Sequence, residues 1–222
     1  MDFPFYYLFV IGAITLINWV AAAQERRELY AASKPLVMIV LIVFYLKLGG
    51  LEPQRLPFLV ALSFSLLGDI FLIPRSNRWF IAGAIAFLIA HLVYIWAFSR
   101  WPVSAGLEMP AVLVGGAVIA VIVWMVLTKT KNKPEFKRIR FMFILYGSVL
   151  TVMTTIAVLC LWRPAWPRWA GVLAALGGLF FFASDSILGL EKMGKRLPAT
   201  RLLVISTYHI AQMLIISSTL GI

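Results

Sequence analysis

The sequence predicts an all-α fold, a polytopic membrane bundle of about eight transmembrane helices, on three observations. Of the 222 residues, 62% are hydrophobic and 13% charged, with a mean hydropathy of +0.95, which lies outside the range of water-soluble domains. The apolar residues gather in runs of about 20, the length that crosses a bilayer core as a helix. In lipid only helices and closed barrels satisfy every backbone N–H and C=O, and the ten-residue alternation of a barrel strand is not visible in the sequence.

Eight runs follow in order: 3–23, 34–51, 57–73, 79–100, 109–128, 140–162, 167–190 and 201–222. The first follows Asp2 rather than a basic segment and is long enough to span. It therefore reads as a helix, although Ala21-Ala22-Ala23 imitates a signal-peptide cleavage site. The second begins at Ser33-Lys34-Pro35-Leu36, where proline suits a first helical turn because its missing N–H leaves no bond unmade. Gly115, Gly116, Gly171, Gly177 and Gly178 allow helices to approach closely. Spans five and six hold few polar side chains beyond Thr151, Thr154 and Thr155, which commonly bond back to their own helix, so both read as scaffold. Trp162, Trp166 and Trp169, set around Arg163 and Arg168, have the composition of an interfacial aromatic belt. The chain 1–222 reads as a single integral membrane domain.

A net charge of +11 suggests nucleic acid at first, but its placement argues for none. Fifteen of the 20 Lys and Arg residues fall in the odd-numbered loops, including the run Lys129 to Arg140, and five (Lys47, Arg55, Arg100, Arg163, Arg168) on the even side. This is the positive-inside pattern. It puts the odd loops in the cytoplasm and both termini on the non-cytoplasmic side, and it suits a bacterial inner membrane. Cys160 is the one cysteine, so it excludes an internal disulfide and reads as packing.

The chemistry-bearing residues are those a membrane helix should not carry. Asp69 and His91 lie in the stretch Leu62 to Phe98, and Asp185 and His209 in the last quarter. An ionisable group at membrane depth costs a few kcal/mol and marks a functional site by default. Asp69 precedes His91 by 22 residues and Asp185 precedes His209 by 24, each acid standing just before a basic break. That recurrence suggests two four-helix halves, 1–100 and 109–222, related as parallel repeats. Helical spacing adds Ser65 to the Asp69 face, Tyr94 to the His91 face, and Gln212 one turn beyond His209, with Tyr208 beside it. At 1.5 Å per residue Asp69 lies roughly 6 Å, Asp185 roughly 8 Å and His209 roughly 12 Å from the cytoplasmic ends of their helices, and His91 roughly 18 Å. Convergence on one polar pocket opening to the inner leaflet is the expectation.

Two carboxyls in such a pocket do not both ionise easily, which leaves a protonated acid beside a carboxylate, the state general acid catalysis needs. Pairing of Asp69 with Arg75 or Arg78 is the structural alternative, and Lys34 reads as a snorkelling topology residue or as a cationic partner for a lipid phosphate or for one of the acids. Two His and two Asp are acceptable zinc ligands, but HxxxH and HxxEH spacings and a thiolate are missing, so neither metal nor cofactor is expected. Ser184 beside Asp185 lacks the GxSxG setting of a nucleophile. Intramembrane Asp and His also occur in proton relays, so a small proton-coupled transporter is the competing reading.

The segments SFSLLGD at 63–69, H-x-x-Y at His91 and Tyr94, FFxxSD-x-x-L at 180–188 and YHxAQ-x-L-I at 208–215, with Lys34-Pro35-Leu36, resemble the YhhN family of eight-helix membrane proteins, the lysoplasmalogenases. The resemblance covers nearly the whole chain. It implies hydrolysis of the vinyl ether bond of a lysophospholipid in the membrane, with water as co-substrate, releasing a fatty aldehyde. One of Asp69 and Asp185 would donate the proton and the other, ionised, would stabilise the cation and orient water. His91, Tyr94 and His209 would tune the acids or position water. Lys34 would hold the lipid phosphate, with Ser65, Tyr208 and Gln212 beside the substrate.

Overall fold

A computed structural model describes residues 5–74, 76–131, 140–194 and 197–222. Arg75 and much of the basic loop between Lys129 and Arg140 lie outside the described residues. Eight α-helices run in sequence: α1 (Phe5–Ala23), α2 (Arg27–Lys47), α3 (Leu56–Phe71), α4 (Asn77–Ser99), α5 (Glu108–Thr130), α6 (Arg140–Leu159), α7 (Arg168–Lys192) and α8 (Thr200–Ser218). Short 3₁₀ turns follow α6 at Cys160–Trp162 and α8 at Thr219–Gly221. Among the described residues seven helices are long and apolar enough to cross a membrane; α3, with 16 residues, is shorter. Large apolar side chains such as Phe9, Leu16, Trp96, Val112, Trp124 and Phe141 face outward. So broad an exposed apolar surface belongs against lipid, and the chain is an integral membrane protein.

The helices pack chiefly as neighbours: α1 on α2 and α8, α3 on α4 and α2, α6 on α4 and α7, and α7 on α8. The α7–α8 seam is close because small residues line it. A Cβ added to Gly177 would stand 3.0 Å from the Ile215 backbone nitrogen and 3.2 Å from the Ala211 carbonyl oxygen, so only glycine lets these backbones meet. Helix α5 packs on α6 alone to any extent and is the most lipid-exposed.

Three expectations are corrected. Helix α2 begins at Arg27, seven residues before Lys34, so Pro35 sits inside the helix and not in its first turn. Proline cannot donate to the carbonyl of Ala31 and disturbs the turn before it. Asn18 of α1 meets that turn, its amide donating to Tyr30 O at 3.1 Å and to Ser33 Oγ at 2.8 Å. Trp166 is not part of an exposed belt; it is buried, edge-on to Trp101 and 5.8 Å from the Phe98 ring, while Trp162 and Trp169 stay exposed. Among the threonines of α6, Thr151 and Thr155 bond back to their own helix as expected, but Thr154 donates across to Gly178 O of α7 at 3.2 Å. Helix α6 is thereby tied to the helix that carries Asp185.

Candidate functional site

The early start of α2 positions the site. Lys34 lies seven residues inside α2 from its N-terminus, and Asp185 lies seven residues before the C-terminal end of α7, about 10 Å in each case. Asp69, two residues from the end of the short α3, meets that level. Lys34 Nζ stands 3.1 Å from Asp69 Oδ1, and the Tyr208 hydroxyl of α8 donates to Asp69 Oδ2 at 2.9 Å. Among the described residues Asp69 therefore pairs with Lys34, across helices, and not with Arg78; Arg75 lies outside them. Lys34 and Tyr208 both present donors to it, which suits a carboxylate.

Asp185 has a different company. Its Oδ2 accepts the Tyr146 hydroxyl of α6 at 2.5 Å and faces His91 Nε2 of α4 at 3.6 Å. His91 Nδ1 lies 2.5 Å from the Phe87 carbonyl. A carbonyl can only accept, so Nδ1 carries a ring proton, and in the neutral ring Nε2 presents a lone pair toward Asp185. Asp69 is thus flanked by an ammonium and a phenol, whereas Asp185 faces a base, His91, 3.6 Å away.

Two cavities meet at Asp185. The polar one, about 250 Å³ counting its open mouth, holds Lys34, Asp69, Asp185, Ser184 and Tyr208 in its lining, with Val204 and Ile205 among apolar neighbours. The apolar one, about 880 Å³ counting its open mouth, lies among α4, α5, α6 and α7 and is lined by side chains such as Phe80, Ile122, Met125 and Phe143, with Tyr146. Asp185, Leu72, Phe87 and Leu188 belong to the walls of both. A reactive carboxyl is thus placed at the junction of a polar chamber and an apolar one, an arrangement suited to an amphiphile.

The remaining expected residues divide. Tyr94 donates to Gln212 Oε1 at 2.7 Å, buried among Phe58, Phe98 and Phe181. Gln212 lies four residues beyond Tyr208 and shares its side of α8. Ser65 is buried and donates back to Ala61 O at 3.0 Å. His209 turns toward α1, where its Nδ1 accepts from the Trp19 indole at 3.2 Å, so Nε2 carries the proton and has no hydrogen-bond partner among the described residues. Tyr208, not His209, is the α8 residue on Asp69.

Tyr146 was not expected. It is the single tyrosine in the apolar α6, and a phenol at membrane depth must find a partner. That signal was present, but only the packing of α6 on α7 names Asp185 as the partner. Among the described residues no cluster of three or more His, Cys, Asp or Glu could hold a metal.

With this geometry in place, sequence relationships can be set beside it. The YhhN family model matches residues 29–219. The chain is 30% identical over 167 residues to the lysoplasmalogenase TMEM86A of Bos taurus, covering 74% of this chain and 65% of that protein. It is 32% identical over 160 residues to the lysoplasmalogenase TMEM86B of Homo sapiens, covering 72% and 62%, and 30% identical over 215 residues to that of Sus scrofa, covering 96% and 83%. The chain thus spans a little under two thirds of the bovine and human proteins' own length. No solved structure matches. A match over residues 29–219 takes in all four ionisable residues and the helices that hold them, and the chain belongs to the YhhN family.

Proposed function

We propose that this protein is a lysoplasmalogenase. It hydrolyses the vinyl ether of a lysoplasmalogen to a fatty aldehyde and glycerophosphocholine or glycerophosphoethanolamine. The observation that carries the reading is the pair of carboxyls on one polar cavity with opposite partners: Asp69 held by Lys34 and Tyr208, Asp185 facing the lone pair of His91. The relatives' names support the same reaction.

Asp185 is the proton donor in this reading. Its proton passes to the β-carbon of the vinyl ether, the C=C bond is lost, and an oxocarbenium ion forms at the carbon bonded to oxygen. Asp69, kept ionised by Lys34, stabilises that cation. Water adds to the cation and its proton goes to the Asp185 carboxylate. The hemiacetal then breaks its bond to the glycerol oxygen, giving aldehyde and alcohol, so one water is consumed and the acid is restored. His91 exchanges the proton with Asp185, and Tyr146 holds the carboxyl in place. Lys34 also faces the chamber that would receive the lipid phosphate, and Tyr94 and Gln212 brace Tyr208 from below. The positive-inside bias supports an inner-membrane protein with both termini on the non-cytoplasmic side. A proton carrier is the weaker reading, because the acids gather at one depth and the relatives are named as hydrolases.

Aldehyde release from a lysoplasmalogen by the detergent-purified protein tests the proposal. Release by wild type, lost in both Asp69→Asn and Asp185→Asn with helical content unchanged, supports it. No release from folded wild type over a range of head groups and pH overturns it.

A further inference from the structure

We propose that the apolar cavity among α4, α5, α6 and α7 is the binding site for the single hydrocarbon chain of the lysolipid, and that it holds this chain with the reacting carbon beside Asp185. The inference rests on the reading of Asp185 as the acid and adds the chain site and the residues that measure it.

Four observations converge on one occupant. The cavity is walled by Phe80 and Ala84 of α4, Ile122 and Met125 of α5, and Phe143 and Gly147 of α6, a lining that offers hydrocarbon and little else. It encloses about 880 Å³ counting its open mouth. It reaches Asp185 and Tyr146 at one end and joins the polar chamber of Lys34 and Asp69 there, so a ligand filling both must be apolar along one part and polar along the other, with the change at the acid. Its outer wall, α5, packs on α6 alone to any extent and otherwise faces lipid, which places the cavity beside the phase where such a chain is dissolved. A long chain moving from bilayer to this cavity exchanges one apolar surrounding for another. Affinity therefore comes from shape and from the polar end, and the cavity acts chiefly by fixing register along the chain.

Gly189 gives a way to alter the register without disturbing the fold. It lies one turn beyond Asp185 on the same face of α7 and lines the cavity, and a Cβ built there meets nothing within 4 Å. Leucine at this position would project into the cavity and gains helix propensity over glycine. Gly116 of α5 also meets nothing within 4 Å but faces outward, away from the cavity, so leucine there controls for the change itself.

The experiment uses a non-hydrolysable ether lysophosphocholine with a diazirine near the end of its single chain, photolysed with the full-length protein in detergent and mapped by mass spectrometry. Labels on the cavity walls of α4 to α7, reduced about tenfold in Gly189→Leu and unchanged in Gly116→Leu, support the assignment. Labels scattered over the lipid-facing surface, or equal labelling in Gly189→Leu and wild type, overturn it. Labelling needs no turnover, so the two proposals separate. A labelled cavity in a protein that releases no aldehyde sinks the reaction and keeps the chain site, whereas aldehyde release without cavity labelling sinks the chain site alone.

Discussion

Lys34 Nζ lies 3.1 Å from Asp69 Oδ1, and the two side chains are 8% and 1% exposed. A buried charge left alone is costly, and removing one partner of such a pair typically destabilises by about 3–5 kcal/mol. Lys34→Met is therefore expected to lower the thermal midpoint in detergent sharply. Combining it with Asp69→Asn should recover most of that loss, because neither charge then remains, while activity stays absent. A double variant no more stable than Lys34→Met would mean that the pair is not coupled.

Tyr146→Phe removes one hydroxyl and leaves the ring in place. Hydrogen bonds to charged groups contribute about 1.5–3 kcal/mol, so kcat is expected to fall at least about tenfold with little change in helical content. Circular dichroism and aldehyde assay on the same sample check both halves. Unchanged kcat would remove Tyr146 from the site.

His91→Phe keeps the ring packing against Phe181 and Tyr146 but deletes the nitrogen facing Asp185. General acid–base assistance is worth about 10²–10⁴ in rate. A loss of about a hundredfold in kcat is expected, with His91→Gln no better, because an amide is too weak a base to exchange the proton. Wild-type activity in His91→Phe would assign the imidazole to packing.

Gly177→Ala places a methyl 2.7 Å from Ile215 Cγ1 and against the α8 backbone. It should part α7 from α8, the helices that carry Asp185 and Tyr208, and reduce both thermal stability and activity. Gly116→Ala meets nothing and should be neutral or stabilising by up to about 1 kcal/mol. Equal stability of the two variants would contradict the close α7–α8 seam.

The orientation of the bundle is open to labelling. In a Cys160→Ala background, Ala105→Cys should react with a membrane-impermeant maleimide added to intact cells, and Asn132→Cys only after permeabilisation. The reverse pattern would invert the topology drawn from the basic loops.

The fate of particular residues separates what could be read along the chain from what could not. Asp69, Asp185 and His91 were legible because each breaks an apolar run, and that contrast needs no knowledge of neighbours. The Lys34–Asp69 pair was legible only as one alternative for Lys34, without its depth or which acid it meets. The proline after Lys34 reads as a helix start, and only the tertiary contact with Asn18 shows the helix running on through it. Trp166 reads as interfacial from its composition, yet the turn after α6 folds it inward against Trp101 and Phe98.

By itself the sequence determined the class of the fold, the number and order of the helices, and the short set of side chains that membrane burial makes conspicuous. These are one-dimensional properties, since hydropathy and helical length act on each segment alone. The tertiary structure decided which side chain answers which: that Tyr208 rather than His209 meets Asp69, that Tyr146 holds Asp185, and that an apolar cavity joins a polar one at that acid. Such choices depend on the rotation of each helix about its axis and on its depth. Both are set by close packing at seams such as Gly177 against Ile215, which no segment carries alone.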